Sequence, residues 1–154
     1  MIIIRDTREK DGFGWDFPYE VVDKKLDTGD YSLIINGESL HDYITIDRKK
    51  STTEIAMNIG KDIKRFTKEL ERMALIPLSF IFCEFTMQQL LQFPKGANIP
   101  KNKLKDVRIT GKYLVSFLSE AEKLYGVRTM YCGNRENAIN KAIEVFQNVE
   151  EIRL

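Results

Sequence analysis

The 154-residue sequence predicts an α/β fold, in which helices cover the faces of a central β-sheet. In the second half, apolar runs typical of strands alternate with segments of helical periodicity, the order expected for such a fold. The run at residues 78–83 is almost continuously apolar, as in a central strand that is covered on both faces. The length fits one domain spanning residues 1–154.

The first half predicts short strands joined by turns. Strand composition is found at residues 2–4, 19–22, 31–35 and 43–46. Asn36-Gly37 is a strong hairpin signal, and the polar residues 38–42 predict a longer loop after it. Phe13 and Trp15, in a glycine-spaced loop, either anchor that loop to the core or stack on an unpaired base. Anchoring is the more common use of such aromatic residues.

The helices are predicted from caps and apolar spacing. Ser51-Thr52-Thr53-Glu54 has the form of a capping box, and apolar residues then recur every three or four positions as far as Met73. Pro77 separates this helix from the strand at residues 78–83. The remaining segments predict helices at residues 86–93, 110–125 and 134–146, a strand at 127–132, and an irregular basic loop at 94–106.

Charge and hydropathy exclude several classes of protein. Twenty-four basic and 23 acidic residues leave a net charge of +1, which excludes a histone-like polycation. No apolar run approaches the roughly 20 residues of a membrane span, and the apolar start meets Arg5-Asp6 too early for a signal peptide. We therefore expect a cytoplasmic or nucleoid-associated protein, and a chain of this size suits a bacterial or phage genome.

Cysteine and histidine are scarce. Cys83 and Cys132 do not form a CxxC pair, and His41 is the only histidine, so a zinc site and histidine-based nuclease chemistry are excluded. We expect both cysteines to be small core residues.

Acidic residues fall where the predicted strands end or begin. Asp30 and Asp47-Arg48-Lys49 match the PD-(D/E)xK pattern of metal-dependent nucleases. Residues two apart in a strand point to the same face, so Asp47 and Lys49 should enter one cleft. Carboxylates on paired strands can hold Mg²⁺, which polarises a phosphodiester and acidifies a bound water. Lys49 could then orient that water or neutralise developing charge.

Several motifs in order resemble the nuclease domain of the XPF/Mus81 family of structure-specific endonucleases. The similarity is clear from residue 2 to about residue 85 and looser beyond residue 110. The motifs that carry it are Asp6-Thr7-Arg8-Glu9, Gly29-Asp30-Tyr31, Ile46-Asp47-Arg48-Lys49, Arg65-Phe66 followed by Glu69, and Phe80-Ile81-Phe82-Cys83-Glu84.

The resemblance implies a restriction-endonuclease-like fold, with a central mixed β-sheet flanked by helices. It also implies an endonuclease that cuts branched or flap-type DNA with Mg²⁺, for which Mn²⁺ can substitute, and that forms a homodimer. Asp30 and Asp47 would bind the metal, and Asp6 and Glu9 would supplement the acidic cluster. Lys49 would assist the water, while phosphates would be contacted, or the carboxylates braced, by Arg8, Arg48 and Arg65.

The sequence departs from the family pattern in four respects. Asp47 stands where the family usually has Glu, and Glu69 where it has Gln. The last motif acid falls on Thr53, with Glu54 one position later. The helix-hairpin-helix module of many relatives does not follow, so we expect a standalone nuclease domain.

Two basic segments are candidates for DNA contact. Lys61, Arg65, Lys68 and Arg72 recur at spacings of three and four and should form one stripe on a helix, unless they are simply a solvated face. Residues 86–112 hold six basic residues and one acid, a net charge of +5. Lys101, Lys103 and Lys105 in that segment could follow a phosphate backbone, although an exposed loop without DNA contact would have the same composition.

Two other functions fit the motifs. One is an inactive nuclease-fold scaffold that binds DNA, because the family includes partners whose motifs have decayed. Intact Asp30, Asp47 and Lys49 favour catalysis over this alternative. The other is a restriction or recombination nuclease of the same superfamily, which substrate profiling would distinguish.

Overall fold

The computed structural model describes residues 1–9 and 14–153, so Phe13 lies outside the described residues. Seven strands form one sheet: β1 (Ile2–Arg5), β2 (Val21–Asp23), β3 (Tyr31–Ile35), β4 (Glu38–Ser39), β5 (Ile44–Lys49), β6 (Leu78–Cys83) and β7 (Val127–Tyr131). The helices are α1 (Thr52–Ile59), α2 (Ile63–Met73), α3 (Met87–Leu91), α4 (Lys101–Leu104), α5 (Gly111–Tyr125) and α6 (Arg135–Arg153). A 3₁₀ turn covers Thr7–Glu9.

The sheet is mixed, with strand order β2-β1-β3-β5-β6-β7 and β4 paired to β3. Strands β5, β6 and β7 run parallel, β3 is antiparallel to both β1 and β5, and β2 is parallel to β1. The predicted α/β fold with a central mixed sheet flanked by helices is therefore confirmed. Strand β6 has the predicted bounds and is buried along nearly its whole length.

Side chains on the two faces of the sheet enter separate apolar clusters. One cluster contains Trp15, Tyr31 and Phe146 of α6. The other contains Ile55 of α1, Leu70 of α2 and residues of α5. Trp15 is buried and its ring stacks on Tyr31 at 4.7 Å, so it anchors its loop to the core.

The hairpin signal is confirmed, but the loop after it is shorter than predicted. Asn36 and Gly37 both adopt positive φ, as a two-residue hairpin turn requires. Residues Glu38–Ser39 then pair with β3 as β4, whereas the sequence predicted a loop there. Of the two cysteines, Cys83 is buried as predicted and Cys132 is only partly buried.

The long helix predicted from the capping box is interrupted at Gly60. Ser51 caps α1 by accepting a hydrogen bond from the Glu54 backbone N–H, but α1 ends at Ile59 and α2 begins at Ile63. Glycine has low helix propensity, and here a Cβ would lie 2.9 Å from the Ile109 side chain. Close packing against residue 109 and weak helix propensity therefore favour a break that apolar spacing alone does not predict.

Two further boundaries differ from the predictions. The segment predicted as an irregular basic loop contains the short helix α4, and α6 continues to Arg153 instead of ending near residue 146. Within the described ranges, no helix combines the length and apolar composition needed to cross a membrane.

Candidate active site

Asp30 and Asp47 meet where β3 pairs with β5. The Asp30 N–H donates to the carbonyl of Ile46 at 2.8 Å, and the Arg48 N–H donates to Asp30 Oδ2 at 2.7 Å. Both aspartates line a pocket of about 250 Å³. The other lining residues are Arg8, Gly29, Lys49, Asn58, Arg65, Phe66, Glu69 and Arg72. The predicted pair is therefore brought together, with Lys49, in one open cleft.

Side chains alternate between the two faces of β5, so Arg48 lies on one face and its neighbours Asp47 and Lys49 lie on the other. Asp47 and Lys49 lie on the face that packs against α1 and α2, and the Lys49 Nζ is 3.1 Å from Asp47 Oδ2 and 5.3 Å from the centre of the Phe66 ring. Burial disfavours the Lys49 ammonium, but the charges of Asp47 and Glu54 outweigh it and raise the pKa of Lys49. Lys49 is therefore a cation at neutral pH, suited to charge stabilisation rather than to accepting a proton.

The carboxyl group of Asp30 has a shifted pKa. Burial, followed by the neighbouring charge of Asp47, raises its pKa well above the usual value, against the stabilising hydrogen bond from the Arg48 N–H. Two carboxylates enclosed side by side repel each other unless a proton or a cation lies between them.

Asp6 does not join this pair. Its Oδ1 accepts from the Leu26 N–H at 2.7 Å, and its Oδ2 accepts from the backbone and side chain of Arg8. Burial acts against its charge, but these hydrogen bonds outweigh it and lower the pKa of Asp6. The structure thus places Asp6 outside the pocket, with both oxygens holding the turn after β1, and its role as a metal ligand stays a prediction.

Arg48 and Glu9 lie on the opposite face of β5 and do not line the pocket. The Arg48 Nη1 donates to Glu9 Oε2 at 2.8 Å, and its Nε donates to Glu84 Oε2 at 2.6 Å. The Trp15 indole N–H donates to the same Glu84 oxygen at 2.7 Å. Of the roles expected for Arg48, the structure supports bracing. Glu9 takes part in this brace and does not line the pocket, although its charge contributes to the raised pKa of Asp30.

The predicted basic stripe is only partly realised. Arg65 lines the pocket, where its Nη2 also lies 3.2 Å from Asp62 Oδ2. Arg8 and Arg72 line it too, whereas Lys68 does not. Lys61 precedes α2 and lines a different, apolar pocket, so the four residues do not share one helix. Lys101, Lys103 and Lys105 are exposed on or beside α4 and do not line this pocket.

Sequence reasoning missed Asn58 as a pocket residue. Its Oδ1 is buried and accepts no hydrogen bond from any of the described residues. The available signal was position, because Asn58 follows Ile55 by three residues and so lies near the buried face of α1.

The pocket offers hard oxygen donors to a cation. Asp30 and Asp47 supply carboxylates, with Asp47 Oδ2 paired to the Lys49 ammonium, and Asn58 Oδ1 is a buried oxygen that accepts no hydrogen bond from the described residues. Mg²⁺ favours such ligands and is often held by one or two carboxylates together with water and substrate phosphate. Within the described part of the chain, no group of three or more His, Cys, Asp or Glu residues is arranged to hold a metal ion. Glu69 also lines the pocket, but it pairs with Arg72 and accepts from the Gly29 N–H, so Asp30 and Asp47 are the lining carboxylates that fit a Mg²⁺ ion.

The raised pKa of Asp30 predicts how metal-free protein responds to pH. Folded protein retains a proton that the unfolded chain releases above about pH 4, so the free energy of unfolding should fall as pH rises towards the folded pKa. Asp30→Asn should flatten this dependence in EDTA, as measured by urea unfolding between pH 5 and 7. Asp42→Asn, an exposed control, should retain it. Parallel profiles for wild type and Asp30→Asn would contradict the prediction.

Comparison with known proteins identifies solved structures that share this fold. No family model and no curated protein matches the sequence. Among solved structures, XPF from Aeropyrum pernix superposes with a TM-score of 0.62 at 18% identity, over 99% of this chain and 61% of that one. The structure of XPF from the same organism in complex with DNA superposes with a TM-score of 0.63 at 18% identity, over 99% of this chain and 66% of that one. The chain thus spans about two thirds or less of the length of these structures. It has the fold of XPF, as its nuclease-domain motifs predict.

Proposed function

We propose that the protein is a metal-dependent DNA endonuclease. The observation that carries this proposal is the meeting of Asp30, Asp47 and Lys49 in one open pocket, beside Arg8, Arg65 and Arg72. The fold is shared with an XPF structure that is in complex with DNA. A cleft that combines two enclosed carboxylates with several cations suits a phosphodiester, which needs a cation at its reacting oxygen and positive charge around it.

Each residue has a separate task in this proposal. Asp30 and Asp47 would hold Mg²⁺, with Mn²⁺ as a substitute, and Asn58 would offer a further oxygen or bind a metal-associated water. When bound, the metal would polarise the phosphodiester and acidify a water. Lys49 remains protonated and stabilises charge that develops on the phosphate, and Arg8 and Arg65 hold neighbouring phosphates.

The finer proposal is a branched or flap-type substrate and a homodimeric enzyme. Both rest on the motif resemblance of the first 85 residues to the XPF/Mus81 nuclease domain. A junction between single-stranded and duplex DNA would present unpaired nucleotides next to the scissile phosphate.

The test is incubation with Mg²⁺ and flap, forked, nicked, single-stranded and intact duplex DNA of the same sequence. We expect cleavage of the flap or fork at the junction, none in EDTA, and restored cleavage with Mn²⁺. Binding to these DNAs without cleavage under any metal would instead indicate an inactive scaffold. Cleavage at one sequence in intact duplex would indicate a restriction-type enzyme.

The three lysines on and beside α4 give a prediction about DNA affinity. If Lys101, Lys103 and Lys105 each neutralise a phosphate, replacing all three by Ala should flatten the slope of log affinity against log salt by about 0.7–0.9 per contact. DNAs of all shapes should be weakened alike, because phosphate contacts do not read sequence or branching. The control replaces Lys123 and Lys141, which pair with Glu120 and Glu144 on their own helices. Titrations in EDTA at four salt concentrations measure the slope, and an unchanged value would show that the lysines are only solvated.

A further inference from the structure

An apolar groove lies beside α1, outside the catalytic pocket. It has a volume of about 420 Å³ and lies between α1 and the segment that contains α4. Met57, Phe93, Ile99 and Ile109 contribute to its lining, and Met57 is 48% exposed. An exposed concave apolar surface of this kind indicates a binding site for a partly apolar ligand.

The polar residues of this groove are mainly cations. Lys61, Lys103 and Arg108 line it, and among the described lining residues none is acidic. Within the described residues none of these three forms an ion pair with a carboxylate, whereas Lys123 and Lys141 do so on their helices. The groove therefore combines an apolar lining with three cations that have no carboxylate partner in the described chain.

The groove and the catalytic pocket share a wall. Met57 lines the groove and the next residue, Asn58, lines the pocket, so α1 separates the two. The next residues repeat the arrangement: Lys61, in the connection to α2, lines the groove, and Arg65, in the first turn of α2, lines the pocket. A strand that leaves the catalytic pocket past the end of α1 would meet the groove next.

We propose that this groove binds unpaired nucleotides of the DNA substrate, with bases against its apolar lining and phosphates on Lys61, Lys103 and Arg108. This inference rests on the proposed endonuclease function and assigns the single-stranded arm of the substrate to a named surface. An unpaired nucleotide exposes both an apolar base face and an anionic phosphate, whereas duplex DNA hides its base faces by stacking. The groove should therefore distinguish single strands from duplex.

An amphipathic protein segment is the other kind of ligand with this chemistry. DNA is favoured because all three charged lining residues are basic and because the groove adjoins the pocket proposed to bind a phosphodiester. A protein partner has no comparable reason to bind next to the two aspartates.

The test compares three oligonucleotides in EDTA: a single-stranded octathymidylate, an abasic strand with the same number of phosphates, and a duplex. Met57→Gln keeps the length of the side chain and its neutral charge but removes its apolar end. We expect it to weaken octathymidylate binding at least about threefold and to leave abasic binding unchanged, because only bases use the apolar lining. Lys103→Ala should weaken octathymidylate, the abasic strand and the duplex alike, because it removes a phosphate contact that all three can make.

Met87→Gln is the matched control, because Met87 is 45% exposed and does not line the groove. It should leave all three affinities unchanged, and thermal unfolding checks that both variants fold. Equal affinity of wild type for octathymidylate and the abasic strand, or unchanged octathymidylate binding by Met57→Gln, would overturn the proposal and leave the groove to a protein partner. Failure of wild type to cleave any DNA, with the base-dependent binding intact, would instead refute the endonuclease function alone.

Discussion

Asp47→Asn should lower single-turnover cleavage with Mg²⁺ by at least about a hundredfold, because it removes half of the proposed carboxylate pair. Asn has nearly the same shape as Asp, so the substitution opens no cavity in β5, although Asp47 is only 7% exposed there. DNA affinity in EDTA should remain the same or rise, because one negative charge leaves the pocket. Rates are measured with enzyme in excess over a 5′-labelled flap substrate.

Asp42→Asn is the matched control for this experiment. It makes the same chemical change five residues earlier, at an exposed position before β5, and it should cleave at the wild-type rate. The Mg²⁺ concentration at half-maximal rate should rise for Asp47→Asn and stay constant for the control. Wild-type cleavage by Asp47→Asn would show that another group holds the metal, and loss of cooperative unfolding would show that the effect is structural.

The part of this site that lies within paired strands was predictable from the sequence. Period-two alternation puts Asp47 and Lys49 on one face, and the turn chemistry before residue 31 delivers Asp30 to the neighbouring strand. The bounds of β3 and β6 followed from apolar runs. These features are local, because each depends on residues only a few positions apart.

The roles of the remaining acids depended on distant partners. Asp6 resembles a ligand in sequence, but Leu26 and Arg8 supply the hydrogen bonds that occupy it. Glu9 is committed to Arg48, 39 residues away, and Gly60, where the helix breaks, lies close to the side chain of Ile109. The hydrophobic periodicity of a sequence does not predict such contacts, because they form between segments that are far apart in the chain.

The brace formed by Arg48, Glu9 and Glu84 behind β5 is the clearest of these distant arrangements. Arg48 is 2% exposed in its side chain and lies between Glu9 and Glu84, with its guanidinium 5.5 Å from the centre of the Trp15 ring. Burial opposes the charge of Arg48, but the hydrogen bonds to Glu84 and Glu9 outweigh it and raise its pKa. Because Arg48 separates Asp47 from Lys49 in the chain, holding its side chain also holds the backbone that presents both residues to the pocket.

Glu84→Ala should therefore lower the free energy of unfolding by about 3 kcal/mol, since it leaves a buried guanidinium and the Trp15 indole N–H without their shared acceptor. Glu84→Gln should recover part of this loss, because its amide oxygen can still accept one of the two hydrogen bonds. Glu120→Ala removes an exposed partner of Lys123 and should lower the free energy of unfolding by less than about 0.5 kcal/mol. Urea unfolding in EDTA measures all three variants.

The same variants test whether the brace supports the site. If it holds β5, Mg²⁺ should raise the melting temperature of Glu84→Ala less than that of wild type, whereas the increase for Glu120→Ala should equal that of wild type. If Glu84→Ala loses stability but Mg²⁺ raises its melting temperature as much as that of wild type, the brace stabilises the fold without supporting the metal site. A loss no larger than that of Glu120→Ala would contradict the buried network itself, because a buried arginine that loses one of its carboxylate partners should be destabilised more than an exposed lysine that loses Glu120.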